Sequence, residues 1–203
     1  MGMDLTVLLE PKLDLARLSE VLDGMGHEGR VHTIRGWDGV KQAKIWEGAA
    51  GFKPIALEHF VPSSVGPLVE VIHELTNTVP IFTHSQKRFC RAAKVGEDEA
   101  KDVPAFLAGY NHQSMAAFTG PGYFVAVKSD VEGEVLFDYT RLPTSKPDSW
   151  PQIRPNKGLL AGAVYGGMID IMRAVSSHVC IGRAKRGGKL ANMYFTLCRK
   201  DPG

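Results

Sequence analysis

The chain has 203 residues, 44% of them hydrophobic and 23% charged, and its 24 basic and 22 acidic side chains leave a formal net charge of +2. A chain this long buries roughly 70% of its unfolded surface, so a single domain over residues 1–203 is expected to hold a core without disulfide or metal. The balanced charge offers no general field for nucleic acid or an anionic membrane. No stretch approaches the ~20 apolar residues of a membrane span.

Cys90, Cys180 and Cys198 form no CxxC pair, which argues against a disulfide scaffold or a zinc knuckle. The N-terminal stretch has acids and a proline where a signal peptide needs a basic start and an unbroken apolar run, so a cytoplasmic location is expected.

In chain order, "DLTVLL" reads as a short strand. Residues 14 to 25 predict a helix, with Leu15, Leu18, Leu22 and Met25 on one stripe and Asp14 as its cap. "RVHTIRG" reads ambiguously as a strand, and "WDGVKQAKIWEGAAG" as a glycine-weakened helix. Residues 64 to 76 predict a further helix with Val65, Leu68, Ile72 and Leu75 aligned, which places His73 and Glu70 on its polar face. "KVGEDEAKD" is expected to be a solvated acidic connection. "SMAAFT" reads as a strand before the Gly120-Pro121-Gly122 turn, and "YFVAVKSDVEGEVLFDYTRL" as a β-hairpin. Residues 158 to 177 carry the strongest helical periodicity, through Leu160, Val164, Met168, Ile171 and Val175. "HVCIGRAKRGGKLANMYFTLCR" predicts a second hairpin turning at Arg186 to Gly188. Together these elements predict an α+β fold: an antiparallel sheet built from hairpins, with the long helix 158–177 packed on one face.

"LPTSKPDSWPQIRPN" sets Pro143, Pro147, Pro151 and Pro155 four residues apart. A polyproline II helix has three residues per turn, so this spacing keeps the prolines off any single face and disfavours a proline-rich ligand motif. Its bulky Trp150 also disfavours a flexible linker. An ordered strap is expected, with Trp150 as its hydrophobic pin and Arg154 aimed at the cleft that holds His112.

Two polar clusters stand out. "FTHSQKRFCR" holds His84, Lys87, Arg88, Cys90 and Arg91, which read as a nucleophile in a basic field, an anion site, or a solvated helix face. "GYNHQS" sets Tyr110, Asn111, His112 and Gln113 in a row, costly as core and natural at a site rim. Histidine suits proton transfer near neutral pH, so His112 and His84 are the candidate catalytic groups. In "FDYTRLP", Phe137, Tyr139 and Arg141 alternate with Asp138 and Thr140; the last strand opposes Asn192, Tyr194 and Thr196 to its apolar face. These semi-polar faces are expected to line a cavity or to mark an edge strand. No histidine or carboxylate spacing matches a metal motif, no glycine loop leads from strand to helix, and no cofactor is implied.

The leading expectation is a small-molecule binding domain for an anionic or amphipathic ligand, with Arg154, Arg88, Tyr110, Asn111, Asp138, Tyr139, Trp150 and Tyr194 as candidate contacts. The alternatives are a hydrolase- or transferase-type enzyme using His112 or His84 with arginine clamps, and a module for protein or nucleic-acid interaction, nucleic acid being the less favoured partner. Self-association into a homo-oligomer stays open.

Overall fold

Eight antiparallel strands, each hydrogen-bonded to its neighbour in sequence, close into a barrel in the computed structural model, which describes residues 5–9, 12–78, 83–92, 106–114 and 116–201. The strands are β1 (Val71–Asn77), β2 (His84–Arg91), β3 (Leu107–His112), β4 (Phe124–Lys128), β5 (Val135–Asp138), β6 (Met168–Ala174), β7 (Val179–Arg186) and β8 (Lys189–Arg199). β1 pairs with β8, Leu75 opposite Leu197, so the described sheet has no free edge.

Side chains alternate across each strand with period two. Ser85, Lys87 and Phe89 of β2 face the bore, as do Phe137 of β5, Asp170 and Met172 of β6, and Phe195 and Leu197 of β8. An eight-stranded barrel has a bore that side chains just fill, or that holds one small ligand. Here it does both. One half is packed by Phe60, Phe89, Phe124 and Phe137, whose neighbouring rings lie 5.0–5.4 Å apart. Gly109 and Gly182 make room for rings in the wall. A Cβ on Gly182 would stand 2.3 Å from Phe195 Cζ, and one on Gly109 2.4 Å from Phe124.

Three helices lie outside the wall: α1 (Leu15–Asp23), α2 (His27–Arg35) and α3 (Gly39–Gly48). Asp14 caps α1 by accepting from Arg17 N at 2.9 Å, and Asp38 caps α3 by accepting from Lys41 N at 2.9 Å. Their apolar stripes, including Leu18, Leu22, Ile34, Ile45 and Trp46, bury the outer residues of β7 and β8, among them Val179, Ile181 and Tyr194. The β7–β8 wall is therefore buried on both sides.

The expected α+β fold with a long helix over 158–177 is corrected by this architecture. That segment is a short helix α6 (Leu159–Tyr165), then Gly166-Gly167, then β6. The helix ends at Gly166, which turns extended at φ −60°, and Gly167 follows at φ 64° in the left-handed region. Within β6 the burial alternates, with Met168, Asp170, Met172 and Ala174 buried and Ile169, Ile171 and Arg173 less so. Apolar residues on both strand faces imitated a helical stripe. The helix expected over 64–76 is replaced by β1 for the same reason, and there His73 faces inward. "RVHTIRG" lies in α2, "DLTVLL" includes a 3₁₀ turn at Leu5–Leu8, and "SMAAFT" includes the short helix α5 (Ala116–Thr119) rather than a strand. "KVGEDEAKD" lies outside the described residues. The two expected hairpins are β4–β5 and β7–β8.

The packed end of the barrel is stoppered by residues 55–61, including α4 (Leu57–Phe60), whose Phe60 is fully buried. Two arginines clasp this plug: Arg91 donates to Val61 O at 2.7 Å, and Arg199 to His59 O. His73 Nε2 donates to Phe60 O at 3.0 Å, while its Nδ1 and His59 Nε2 are enclosed with no partner among the described residues. Burial, with Arg199 nearby, pulls His73 down to about 3 and holds His59 well below the usual histidine range. Both rings are thus neutral when folded and take up protons on unfolding at acid pH. Their contribution is complete above the unfolded value near 6.5 and is lost as pH falls below it, for His73 down toward about 3, by up to about 1.4 kcal/mol per pH unit for each ring. We expect urea midpoints to drop steeply between pH 6.5 and 4, with a shallower slope in His73→Leu; an unchanged slope in that variant would show that His73 is not the titrating group.

Candidate functional site

At the other end, the bore opens into a cavity of about 260 Å³. Its walls are largely apolar, from Leu75, Met168, Ala184, Met193 and Phe195, and four polar side chains converge at its base: Lys87, Asn111, Tyr139 and Asp170. Lys87 belongs to β2 and Asp170 to β6, four places apart in a ring of eight, so the two reach toward each other from opposite walls. Lys87 Nζ lies 3.4 Å from Asp170 Oδ2, with side-chain exposures of only 4% and 3%.

The remaining bonds of this cluster are nearly complete. Lys87 Nζ donates to Asn111 Oδ1 at 2.7 Å and to the Tyr139 hydroxyl. Tyr139 can donate onward to Asp170 Oδ2 at 3.3 Å. Asn111 Nδ2 donates to Gly122 O at 2.9 Å, which fixes the amide so that its oxygen faces the lysine. Aromatic faces surround the ammonium, with Nζ 5.0 Å from the Phe195 ring centre and 5.1 Å from that of Phe124. Burial lowers the Lys87 pKa and raises that of Asp170, each opposed by attraction to the other. Tyr139 is raised well above its ordinary value, by burial and then by Asp170, and so remains a phenol.

α6 covers the mouth. Its Tyr165 stacks on Tyr139 at 5.5 Å and accepts from Gln113 Nε2 at 2.6 Å. Arg186 donates to Ala163 O and Val164 O, at 2.9 and 2.6 Å, and so ties the end of α6 to β7.

The candidate residues read from the sequence scatter over several places. Asn111 and Tyr139 line the cavity. His84, His112 and Arg88 meet in a shallow outer cleft with Arg35 and Glu74, beside the mouth, sharing Ser85 and Gln113 with the cavity. Arg88 is already engaged there by Glu70, at 3.0 and 3.2 Å, and by Gln86. His112 is exposed, with its pKa lowered by partial burial and then by Arg88. Asp138 binds Thr140 through its amide and hydroxyl on the outer face. Tyr194 lies under the helices, with the Arg183 guanidinium 5.0 Å from its ring centre.

The proline strap is ordered along the outer wall of β2, β3 and β4, not across the mouth. Trp150, 3% exposed, packs with Cys90, Ala108, Tyr110 and Tyr123. Its indole N–H donates to Glu70, and Asn156 donates to Tyr123 O and Tyr139 O at 2.7 and 2.8 Å. Arg154 is exposed and lines neither the cavity nor the outer cleft. Burial pushes the Cys90 thiol up to about 12, the opposite of an activated nucleophile.

Sequence reasoning missed Lys87 and Asp170 as a pair. The signal was present in the alternation of "SQKRF", which sets Lys87 in phase with Phe89, and in "MIDIM", a carboxylate flanked on both sides by apolar residues.

Among the described residues, no group of three or more His, Cys, Asp or Glu side chains is arranged to hold a metal ion, and no helix is long and apolar enough to cross a membrane. Comparison with known proteins finds no family model, no curated protein and no solved structure that matches this chain. A β-barrel with buried polar residues around a cavity is compatible with small-molecule binding.

Removing one partner of a buried ion pair strands the other, at a cost of about 3–5 kcal/mol, whereas replacing both with apolar groups is far milder. Lys87→Met is expected to lower stability on that scale in urea denaturation, and Lys87→Met/Asp170→Leu to recover most of it. Additive losses would mean that the two side chains are not coupled.

Proposed function

We propose that this protein binds a compact, mostly apolar small molecule in the open half of the barrel, with one neutral polar group seated on Lys87, Asn111 and Tyr139. The cavity carries this reading: apolar walls with a few convergent polar groups at one end are what small-molecule sites present, and about 260 Å³ suits a ligand of single-ring or short-chain size.

Charge argues for a neutral head group. The Lys87 charge is already balanced by Asp170 at 3.4 Å. A carboxylate or phosphate placed beside them would add an unpaired negative charge in a dry site, which is strongly unfavourable. A carbonyl or hydroxyl oxygen can accept from Lys87 or Tyr139 without that cost. The anionic ligand expected from the sequence is therefore the weaker version of the binding hypothesis, and the arginines that motivated it lie elsewhere.

α6 supports a gated mouth. Gly158, at φ 95°, and Gly167, at φ 64°, flank it, and Arg186 holds its carbonyls. Ligand exchange would require this clasp to open.

Thermal shift with p-anisyl alcohol and p-anisate tests the reading. The alcohol is expected to raise Tm and the carboxylate to do so less, since a ligand that prefers the folded state stabilises it. Ala184→Leu fills the cavity from β7 and should abolish the shift at unchanged fold. A larger shift with p-anisate, or an alcohol shift that survives Ala184→Leu, overturns the proposal.

A further inference from the structure

Lys87 has a feature that simple ligand binding leaves unused: a buried primary amine lines a cavity, with a phenol and a carboxylate in contact. We propose that Lys87 is a nucleophile that captures aldehydes or ketones, forming an imine with a carbonyl ligand seated in the barrel. This inference rests on the cavity being a ligand site and adds the chemical class of the ligand.

The geometry supplies each part of the reaction. Lys87 reaches the cavity base, with Asn111 Oδ1 at 2.7 Å, Asp170 Oδ2 at 3.4 Å and the Tyr139 hydroxyl in contact. A protonated amine is not nucleophilic; when a carbonyl ligand enters, Asp170, the other half of the resting ion pair, is placed to take the surplus proton, giving a neutral amine and a neutral acid for the reaction. That exchange removes both charges from a dry site, and burial disfavours the charged form of each group. Asn111, held by Gly122 O, keeps the nitrogen in place.

The steps balance as follows. The nitrogen lone pair of Lys87 attacks the carbonyl carbon, the C=O π pair moves to oxygen, and that oxygen takes the Tyr139 proton. Tyr139 recovers a proton from the new nitrogen–carbon adduct, giving a neutral carbinolamine. Its hydroxyl then leaves as water, protonated by Tyr139, while the nitrogen loses its last hydrogen back to the phenolate and forms C=N. The sum is amine plus carbonyl giving imine plus water, with no oxidant or reductant.

The aromatic surround makes the same point. Phe195 and Phe124 face the nitrogen at 5.0 and 5.1 Å, so water has little access from below and the imine is shielded from hydrolysis. A lysine kept only as a structural ion-pair partner would need no exposure to an open cavity.

The test traps the imine on the wild-type chain. The protein is incubated at pH 7 with p-anisaldehyde and sodium cyanoborohydride, and the reduced adduct is located by peptide mapping. We expect Lys87 to be modified at least about tenfold faster than exposed lysines such as Lys157 and Lys189. Tyr139→Phe, which keeps the amine, should slow the trapping by roughly tenfold or more. p-Anisyl alcohol, which cannot form an imine, should protect Lys87. If the alcohol binds but Lys87 is modified no faster than surface lysines, the nucleophile is overturned and the binding site stands. If neither the alcohol binds nor Lys87 reacts selectively, both fall.

Discussion

A single contact across the bore sets the terms for the rest of this molecule. Lys87 and Asp170 stand on opposite strands of an eight-membered ring, and their charged ends meet at 3.4 Å. Desolvating two ions costs several kcal/mol each, so the contact persists only where the surrounding bonds are well made. Tyr139 and Asn111 make them. Their positions follow from strand register: Lys87 lies opposite Asn111, and Asp170 opposite Phe137, two residues before Tyr139. A shift of one residue in β2 or β6 would turn its charged group outward and strand its partner. The contact thus selects the register of the barrel while dividing its interior in two.

Below that divide the bore is filled by phenylalanine rings and the plug at 55–61; above it, space remains. The division has an energetic logic. A barrel filled throughout with apolar side chains would be more stable, since a buried ion pair adds little stability of its own. Retaining a polar cluster beside a void is a departure from the most stable packing, and such departures concentrate at functional sites. The outer cleft with His84 and His112 lacks this character: it is shallow, and Arg88 there is already paired with Glu70.

What the sequence revealed depended on whether local pattern and tertiary environment agreed. Asp14 announced α1, because a cap is a local device; Asp38 caps α3 in the same way. The hairpins around β4–β5 and β7–β8 were legible, because turn chemistry and strand propensity are local too. β1 and β6 were not. Ile72 and Ile171 look out of a wall whose inner face is also apolar, so the period-two signal is blurred and a helical stripe appears by coincidence. Barrel closure was invisible as well, since Leu75 and Leu197 meet across more than a hundred residues of chain. Asn111 stood in a run of four polar residues and Tyr139 in the semi-polar alternation of "FDYTRLP"; both line the cavity. Lys87 was read as part of a basic field, an anion site or a solvated helix face, and its period-two phase with Phe89 in β2 went unread.

The outer layers explain why such a site can stay in register. β7 and β8 are backed by α1 to α3, and the strap pins the outer face of β2 to β4 through Trp150. Four prolines lower the entropy that ordering the strap costs, and Asn156 ties its end to Tyr139 O, the backbone of a residue whose hydroxyl reaches Lys87. The strap therefore touches the site without lining it. By contrast, α6 at the mouth is seven residues long, bounded by glycines in left-handed conformations, with Leu159 91% exposed. Rigidity is concentrated behind the polar cluster, where the amine must be held against its partners. Over the opening the hold is lighter, through the Arg186 clasp and the Tyr165 ring, and on the proposed reading that is where a ligand would pass.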